Sequence, residues 1–229
     1  MSNFLDDLLD EKTATRWITQ NTDEWDQVRV GRFTASELWR LMVEPKGKTD
    51  KDSGKLSETA LSYVQEKVAE VLTGLPKQQG YAFPLVWGSE KEPEAIEYFT
   101  ERTGLTVEKV GFFTYTDHAG GSPDGFIGED AILEVKCPYD PGKQVDYLML
   151  TDQWDLKRHF REYYWQCQAN LLFTEREVCH FVTYDPRMIE EKHRLTHMEV
   201  KANADDHAAI IAKLEKAIEE KLKLISLLK

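Results

Sequence analysis

The sequence predicts an α/β protein in which helices flank a central mixed β-sheet. Three features of its 229 residues indicate this class. Apolar residues recur at helical steps of three and four in the first half of the chain, strand-like alternation follows residue 105, and a helical pattern closes the chain. No linker divides these segments, so we expect the helices and the sheet to form one layered unit.

The first half of the chain predicts two helices after a polar loop at 44–55. The first begins after Leu56 and ends where Gly74 and Pro76 interrupt the pattern. Its apolar positions are Leu61, Val64, Val68, Val71 and Leu72. The second helix runs from about 89 to 104, with an inner face formed by Ala95, Ile96 and Phe99.

Strand-like alternation then predicts the sheet. Turn-rich HAGGSPDG (118–125) and Gly128-Glu129-Asp130 separate the first strands, and Pro138 and Pro141 lie in a later loop. The predicted strands are 106–116, 125–128, 131–137, 177–185 and 194–200. Two more helices are expected, at 155–173 and at about 203–228.

We predict a single domain over 1–229, with a core at about 24–200 and the C-terminal helix at about 203–228. That helix carries apolar residues at near-heptad steps: Ile210, Leu214, Ile218, Leu222 and Ile225. The stripe docks either within the chain or at a subunit interface, and the sequence leaves both open.

Composition excludes several classes of protein. Hydrophobic residues make up 41% and charged residues 31%, as in a globular protein rather than a disordered chain or a membrane span. The net charge of −12 argues against nucleic-acid binding through bulk positive charge and leaves room for a local basic site. Three cysteines without CxxC spacing and the acidic start MSNFLDDLLDEK favour a cytoplasmic protein without a membrane anchor.

The segment from Asp124 to Lys136 carries the chemistry. If 128–130 form a three-residue hairpin loop, the antiparallel register places Asp124 opposite Glu134. Facing carboxylates repel each other unless a cation lies between them. Lys136 follows Glu134 by two residues, so strand alternation places its ammonium on the same face. A hard cation such as Mg²⁺ or Mn²⁺ would resolve the repulsion.

The chain carries an Asp followed, after nine residues, by Glu-x-Lys. This pattern resembles that of the PD-(D/E)xK nuclease superfamily, which has a restriction-endonuclease-like core. Further motifs occur in an order similar to phage lambda exonuclease and the YqaJ-type viral recombinases. These are WDQVRVG (25–31), TASE (34–37), Trp87-Gly88 with Glu92, SPDG (122–125), LEVKCP (133–138), QCQ (166–168) and YDPR (184–187).

This resemblance implies a Mg²⁺-dependent exonuclease domain that digests one strand of double-stranded DNA from 5′ to 3′ and leaves a 3′ overhang for recombination. It implies a 5′-phosphorylated end as substrate, processive action and a ring-shaped homotrimer. It also implies two Mg²⁺ ions per site with Mn²⁺ as a substitute, a single-strand annealing protein as partner, and a phage or prophage gene in a bacterial cytoplasm.

The resemblance also assigns roles to residues. Asp124, Glu134 and the main-chain carbonyl of Val135 would be metal ligands, Glu92 would support metal-bound waters, and Lys136 would assist the attacking water. The residues that would hold the 5′-phosphate are Arg29, Ser36, Ser122 and Gln166. Leu85 would be a wedge at the duplex end, whereas the sequence alone favours a core leucine.

Several other residues carry competing interpretations. His193 and His197 have metal-ligand spacing only in a helix, and the alternation around them favours surface or packing roles. Cys167 is expected in the core. Lysines in the 44–55 loop either contact phosphates or are simply solvated. Aromatic residues either stack on bases or belong to the core; they are Tyr163, Tyr164 and Trp165.

Two other functions remain open at this stage. One is an endonuclease of the same superfamily, which would cut closed circular DNA. The other is a DNA-end binding module without catalysis, which the presence of Asp124, Glu134 and Lys136 disfavours.

Overall fold

A computed structural model describes residues 18, 20, 22–77 and 83–228. The acidic N-terminal stretch 1–12 lies outside these residues. The helices are α1 (Asp23–Arg29), α2 (Lys48–Asp52), α3 (Glu58–Thr73), α4 (Phe83–Thr103), α5 (Pro141–Leu148), α6 (Gln153–His159), α7 (Arg161–Thr174) and α8 (Ala204–Leu228). Short 3-10 helices lie at Ala35–Arg40 and Glu191–His193. None of the helices in the described ranges is long and apolar enough to cross a membrane.

The strands form two sheets. They are β1 (Phe33–Thr34), β2 (Phe113–Thr116), β3 (Ala119–Gly121), β4 (Gly125–Ile127), β5 (Ala131–Lys136), β6 (Val178–Tyr184) and β7 (Leu195–Lys201). The larger sheet has the order β4-β5-β6-β7 and is mixed, because β5 and β6 are parallel and the other pairs antiparallel. The smaller sheet has the order β1-β3-β2.

Helices cover both faces of the larger sheet. Phe181 of β6 belongs to a core that includes Tyr164 and Phe173 of α7. On the opposite face, Leu133 and Val182 belong to a second core with α4, which contributes Ala95 and Phe99. The predicted α/β class with a mixed sheet between helices is therefore confirmed.

Local signals explain where helices start and stop. Ser57 caps α3 by accepting a hydrogen bond from the backbone N–H of Ala60, and Gly74 ends the helix with a φ of 67°. The predicted apolar face of α3 is only partly right: Val64 and Val68 are buried, but Leu61, Val71 and Leu72 are exposed. Tyr63, Lys67 and Glu70 occupy buried positions instead.

The C-terminal helix docks within the chain. Four residues of the predicted stripe are buried, whereas Leu222 is 42% exposed. The buried members share a core with Val64 and Val68 of α3. The structure thus selects intramolecular docking for this apolar face.

Two predicted boundaries on the strand side were wrong. In 106–116 only β2 is a strand; Glu108 makes a single bridge to Phe126 through its own N–H and C=O. The expected turn at 118–125 contains β3. A Cβ at Gly120 would lie 2.4 Å from the Phe112 ring, so this glycine serves close packing within β3.

Helix boundaries also differ from the prediction. Helix α4 begins at Phe83 rather than near 89, and the 44–55 loop contains α2. The loop expected around Pro141 is helix α5, because Pro141 occupies the first helical turn and Asp140 caps it. The helix expected at 155–173 is split into α6 and α7 at Phe160, which has non-helical angles.

Gly31 provides a test of this packing. Its φ is 72°, and a Cβ there would lie 2.5 Å from Cγ2 of Val71; Gly74 has a φ of 67° and nothing within 4 Å. We expect Gly74→Ala to lower the free energy of unfolding by about 1 kcal/mol, the cost of a left-handed residue. Gly31→Ala has the same left-handed cost, and overpacking lowers the free energy of unfolding by about 1–3 kcal/mol more. Urea denaturation measures both, and equal losses would contradict close packing at Gly31.

Candidate active site

The hairpin places two carboxylates face to face. Ile127 pairs with Ala131 and Gly125 with Leu133, and the backbone N–H of Asp124 donates to the carbonyl of Leu133. Continuing this register places Asp124 opposite Glu134, as predicted. The Asp124 carboxylate accepts a hydrogen bond of 2.6 Å from the backbone N–H of Val135. This bond fixes its orientation toward the next strand.

Glu134 is held by two side chains. It is fully buried, its Oε1 lies 2.5 Å from Nζ of Lys136, and its Oε2 accepts a 3.2 Å hydrogen bond from Asn170 of α7. The ion pair confirms that Lys136 and Glu134 share one face of β5. Asn170 was missed by sequence reasoning, since no local pattern shows that a helix amide 36 residues away reaches this strand.

Glu92 of α4 completes an acidic group. Burial, together with repulsion from Asp124, raises the pKa of Glu92 to about 7. Burial raises the pKa of Glu134 to about 8, with repulsion from Asp124 and Glu92 adding to it and Lys136 opposing it. Burial also raises the pKa of Asp124. Burial alone would lower the pKa of Lys136, but the carboxylates of Glu134 and Asp124 outweigh it and raise that pKa.

The donor set fits a hard divalent cation. In the ranges described, no group of three or more His, Cys, Asp and Glu side chains forms a cage for a metal ion. Mg²⁺ does not need one, because it is commonly held by one or two carboxylates and keeps several waters. The facing carboxylates of Asp124 and Glu134, both with pKa values raised by burial, supply negative charge that such an ion would neutralise. Val135, the predicted carbonyl ligand, lines the same cavity.

One cavity of about 610 Å³ unites the predicted site. It lies in the range usual for ligand pockets. Its lining includes all the site residues that sequence analysis selected: Arg29, Ser36, Leu85, Glu92, Ser122, Asp124, Glu134, Val135, Lys136 and Gln166. Leu85 is 54% exposed, so its interpretation as a core leucine was wrong.

Arg29 lies at the end of α1, in the wall of this cavity. Its guanidinium carbon is 3.8 Å from the centre of the Trp25 ring, and the Trp25 indole N–H donates to Oγ of Ser122 at 2.9 Å. Burial lowers the pKa of Arg29, although Tyr63, Asp26 and Glu70 oppose this. Among the described residues, Asp26 and Glu70 act on Arg29 electrostatically, and no carboxylate there forms an ion pair with it.

Trp25 is a site residue that sequence analysis left without a role. It occurs in the WDQVRVG motif. Nothing in that motif shows that its indole ring lies against the Arg29 guanidinium and also donates a hydrogen bond to Ser122. Two phosphate candidates remain: Ser36 is exposed and its hydroxyl lies 3.4 Å from Oγ1 of Thr34, and Gln166 is half-buried on α7.

The other candidates have mainly structural positions. Nδ1 of His180 lies 2.8 Å from Nε2 of His197, and both rings contact Phe99, which confirms a packing role for His197. Cys167 is fully buried, as expected. Tyr164 and Trp165 are core residues, whereas Tyr163 lines the cavity near the Lys136 ammonium.

The mixed sheet with an Asp, Glu and Lys constellation on a hairpin defines a protein of the PD-(D/E)xK class. The chain belongs to the family of YqaJ-like viral recombinase domains, whose family model matches residues 24–177. A comparison with curated proteins gives no match.

Solved structures agree with this assignment. An alkaline exonuclease, LHK-Exo, from Laribacter hongkongensis is 25% identical, with a TM-score of 0.76 over 90% of this chain and 96% of that one. Its complex with dAMP is 26% identical, with a TM-score of 0.77 over 91% and 96%. A phage related exonuclease from Haemophilus somnus shares the fold, with a TM-score of 0.72 at 20% identity over 86% and 96%.

Proposed function

We propose that this protein is a Mg²⁺-dependent exonuclease that degrades the 5′-phosphorylated strand of a DNA duplex from 5′ to 3′. The observation that carries the proposal is the shared cavity. The Asp124, Glu134 and Lys136 constellation and the guanidinium of Arg29 line one space of about 610 Å³. A cavity that contains both a cleavage centre and an anion-binding group would bind the terminal phosphate and the first phosphodiester of one strand at the same time.

The chemistry follows from these side chains. Asp124, Glu134 and the carbonyl of Val135 would hold Mg²⁺, with Mn²⁺ as a substitute and two ions per site in the family scheme. When bound, the metal lowers the pKa of a coordinated water and neutralises phosphate charge. The Lys136 ammonium lies beside Glu134 and is positioned to orient the attacking water and to stabilise charge that develops on the phosphate. Glu92 would hold further waters.

Arg29 and its neighbours would set the polarity. A guanidinium offers a rigid fork of donors that matches phosphate oxygens, and Ser36, Ser122 and Gln166 add neutral donors. With the terminal phosphate anchored there, the scissile bond one nucleotide away would lie at the carboxylates. The exonucleases among the similar structures support cleavage from a DNA end, and dAMP, bound in one of them, is a mononucleotide of the kind an exonuclease releases.

The proposal extends to assembly and context through the family. It comprises processive action by a ring-shaped homotrimer, a 3′ overhang handed to a single-strand annealing protein, and a phage or prophage gene expressed in a bacterial cytoplasm. Membership of the viral recombinase family supports the recombination context.

A digestion assay tests the function. Linear duplex with a 5′-phosphate on one strand is incubated with Mg²⁺ or EDTA beside covalently closed circular DNA. We expect metal-dependent loss of the phosphorylated strand only, with intact circles. Nicked circles would indicate an endonuclease, and DNA binding without any cleavage would indicate a silent end-binding module.

Metal binding is expected to raise the Tm of the protein in the absence of DNA. At ten times its Kd, Mg²⁺ stabilises a protein that binds it only when folded by about 1.4 kcal/mol. For a chain of this size we expect a rise in Tm of about 3–6 °C. Asp124→Asn keeps an acceptor for the Val135 N–H but loses the charge, so the rise disappears. Asp146→Asn, at an exposed ion pair with Lys143, retains it; a full rise in the Asp124 variant would remove Asp124 from the ligand set.

Leu85 has an expected effect on duplex opening. Because its side chain is 54% exposed, Leu85→Ala leaves the free energy of unfolding within about 0.5 kcal/mol of the wild type. As a wedge at the duplex end, it accelerates digestion of duplex and has no role on a single strand. We expect slower digestion of duplex and unchanged digestion of single strands. Leu72→Ala, exposed on α3 away from the cavity, is the matched control; equal slowing on both substrates would argue against a wedge.

A further inference from the structure

Three buried charged side chains surround the backbone of Gly31. Two of them bind its N–H and C=O groups, and the third binds one of those two. Oε2 of Glu70 accepts a hydrogen bond of 2.8 Å from the Gly31 N–H. Nζ of Lys221, from α8, donates to the Gly31 carbonyl at 2.7 Å. Nζ of Lys67 donates to Oε1 of Glu70 at 2.8 Å. We call Lys67, Glu70 and Lys221 the Gly31 clamp.

The clamp occupies positions where apolar residues would serve a purely structural core. Its members are only 8%, 5% and 2% exposed, and burying charges is costly even when they are paired. Neighbouring positions on the same helices, such as Val68 and Ile218, are apolar and buried. We therefore interpret these charged groups as residues that fix the Gly31 backbone by hydrogen bonds, rather than as residues that pack the interface between α3 and α8.

Gly31 is two residues beyond Arg29. Helix α1 ends at Arg29, and the chain then turns through Gly31, whose φ is 72°. Fixing both peptide groups of Gly31 fixes the backbone from which the Arg29 side chain extends toward the cavity. Glu70 and Lys67 are also electrostatically coupled to Arg29, Glu70 favouring its charged form.

Helix α3 holds the other side of the phosphate pocket in the same way. The Tyr63 hydroxyl accepts a hydrogen bond of 2.9 Å from the backbone N–H of Thr34, two residues before Ser36. One helix thus fixes the backbone next to Arg29 and next to Ser36. Lys221 is the contribution of the C-terminal helix to this support.

We propose that the Gly31 clamp positions Arg29 for the 5′-terminal phosphate, so that α8, remote in sequence, sets how strongly the enzyme prefers phosphorylated ends. The inference rests on the proposed function. Lys67, Glu70 and Lys221 are positioning residues, since they act on the phosphate through Arg29 and do not line the cavity at the carboxylates.

Lys221→Met tests the clamp, because methionine keeps the length of the stem and removes the donor. The readout is the ratio of kcat/KM for 5′-phosphorylated over 5′-hydroxyl duplex. We expect the ratio to fall about tenfold, mainly through a higher KM for phosphorylated ends. Lys223→Met, on the same helix with an exposed side chain paired to Glu220, keeps the wild-type ratio.

A double-mutant cycle separates positioning from general damage. In an Arg29→Ala background, Lys221→Met has no further effect on kcat/KM for phosphorylated ends, because the positioned group is already absent. The ratio of Kd values for the two ends, measured in EDTA without cleavage, follows the same pattern. Should Lys221→Met fail to fold, Glu70→Gln, which keeps the shape of the side chain, takes its place.

The outcomes are distinct. If Arg29→Ala removes the preference but neither clamp variant changes it, the clamp inference fails and the proposed function stands. If both clamp variants lower kcat/KM for phosphorylated duplex by the same factor with and without Arg29, or lower it equally for 5′-hydroxyl duplex, their effect is general and positioning is refuted. A wild type without any preference for phosphorylated ends would overturn the proposed function and the clamp together.

Discussion

Lys136→Ala is expected to lower kcat for duplex digestion by about 100- to 10,000-fold, the range typical of a group that assists proton transfer or charge development. Its ammonium lies 2.5 Å from Oε1 of Glu134 and 5.1 Å from the Tyr163 ring centre, at the carboxylates of the cavity. Duplex binding persists, since the anchor at Arg29 is untouched. Single-turnover kinetics and Kd for DNA with Ca²⁺ or EDTA measure the two effects separately.

The control must account for the ion pair. Removing Lys136 leaves the fully buried Glu134 without its cation, and such a loss destabilises a protein by about 3–5 kcal/mol unless the acid takes up a proton. Lys136→Met, which keeps the stem, and a melting curve for each variant separate unfolding from lost chemistry. Lys109→Ala removes an exposed positive charge that also acts on Glu92 and Asp124, without changing the pair with Glu134. A folded Lys136 variant with near-wild-type kcat would remove Lys136 from catalysis.

The sequence predicted the hairpin of the candidate site because its geometry is local. Three loop residues fix the register, and strand alternation then places Asp124, Glu134 and Lys136 on one face. The boundaries that failed depend on distant partners. Strand β3 forms where Gly120 and Gly121 let Phe112 and Asn170 approach, and 106–112 is joined to the larger sheet by a backbone bridge at Glu108 without forming a strand. Neither fact is visible in alternation along the chain.

The candidate site likewise has features that local sequence predicts and features that depend on tertiary packing. Family motifs selected residues from α1, α4, the hairpin and α7, and all of them line one cavity. What the motifs did not show is the support around them: Trp25 between Arg29 and Ser122, and Asn170 on Glu134. These contacts join elements far apart in sequence, so they depend on tertiary packing.

The buried charges support the proposal that this acidic protein holds a phosphate at Arg29. The net charge of −12 opposes DNA in bulk, so attraction must come from groups placed at the site. Arg29 meets this need because the nearby carboxylates of Asp26 and Glu70 favour its charge without pairing with it. Glu70 itself is engaged by Lys67 and by the Gly31 N–H.

Arg29→Ala is therefore expected to abolish the preference for a 5′-phosphate over a 5′-hydroxyl. A hydrogen bond to a charged group contributes about 1.5–3 kcal/mol, so kcat/KM for phosphorylated ends falls about 10- to 100-fold. Arg29→Lys keeps the charge but not the fork that spans two phosphate oxygens, and we expect an intermediate ratio. Competition between duplexes that differ only in the terminal group measures the preference directly.

Matched variants make the Arg29 result specific. Arg158→Ala removes an arginine that is 67% exposed and paired with Asp155, outside the cavity, and keeps the wild-type preference. Trp25→Phe retains an aromatic face beneath Arg29 but loses the donor to Ser122, so it weakens the preference less than Arg29→Ala does. An Arg29→Ala enzyme that still prefers phosphorylated ends would place the anchor elsewhere in the cavity, while the metal-dependent chemistry at Asp124 and Glu134 would be unaffected.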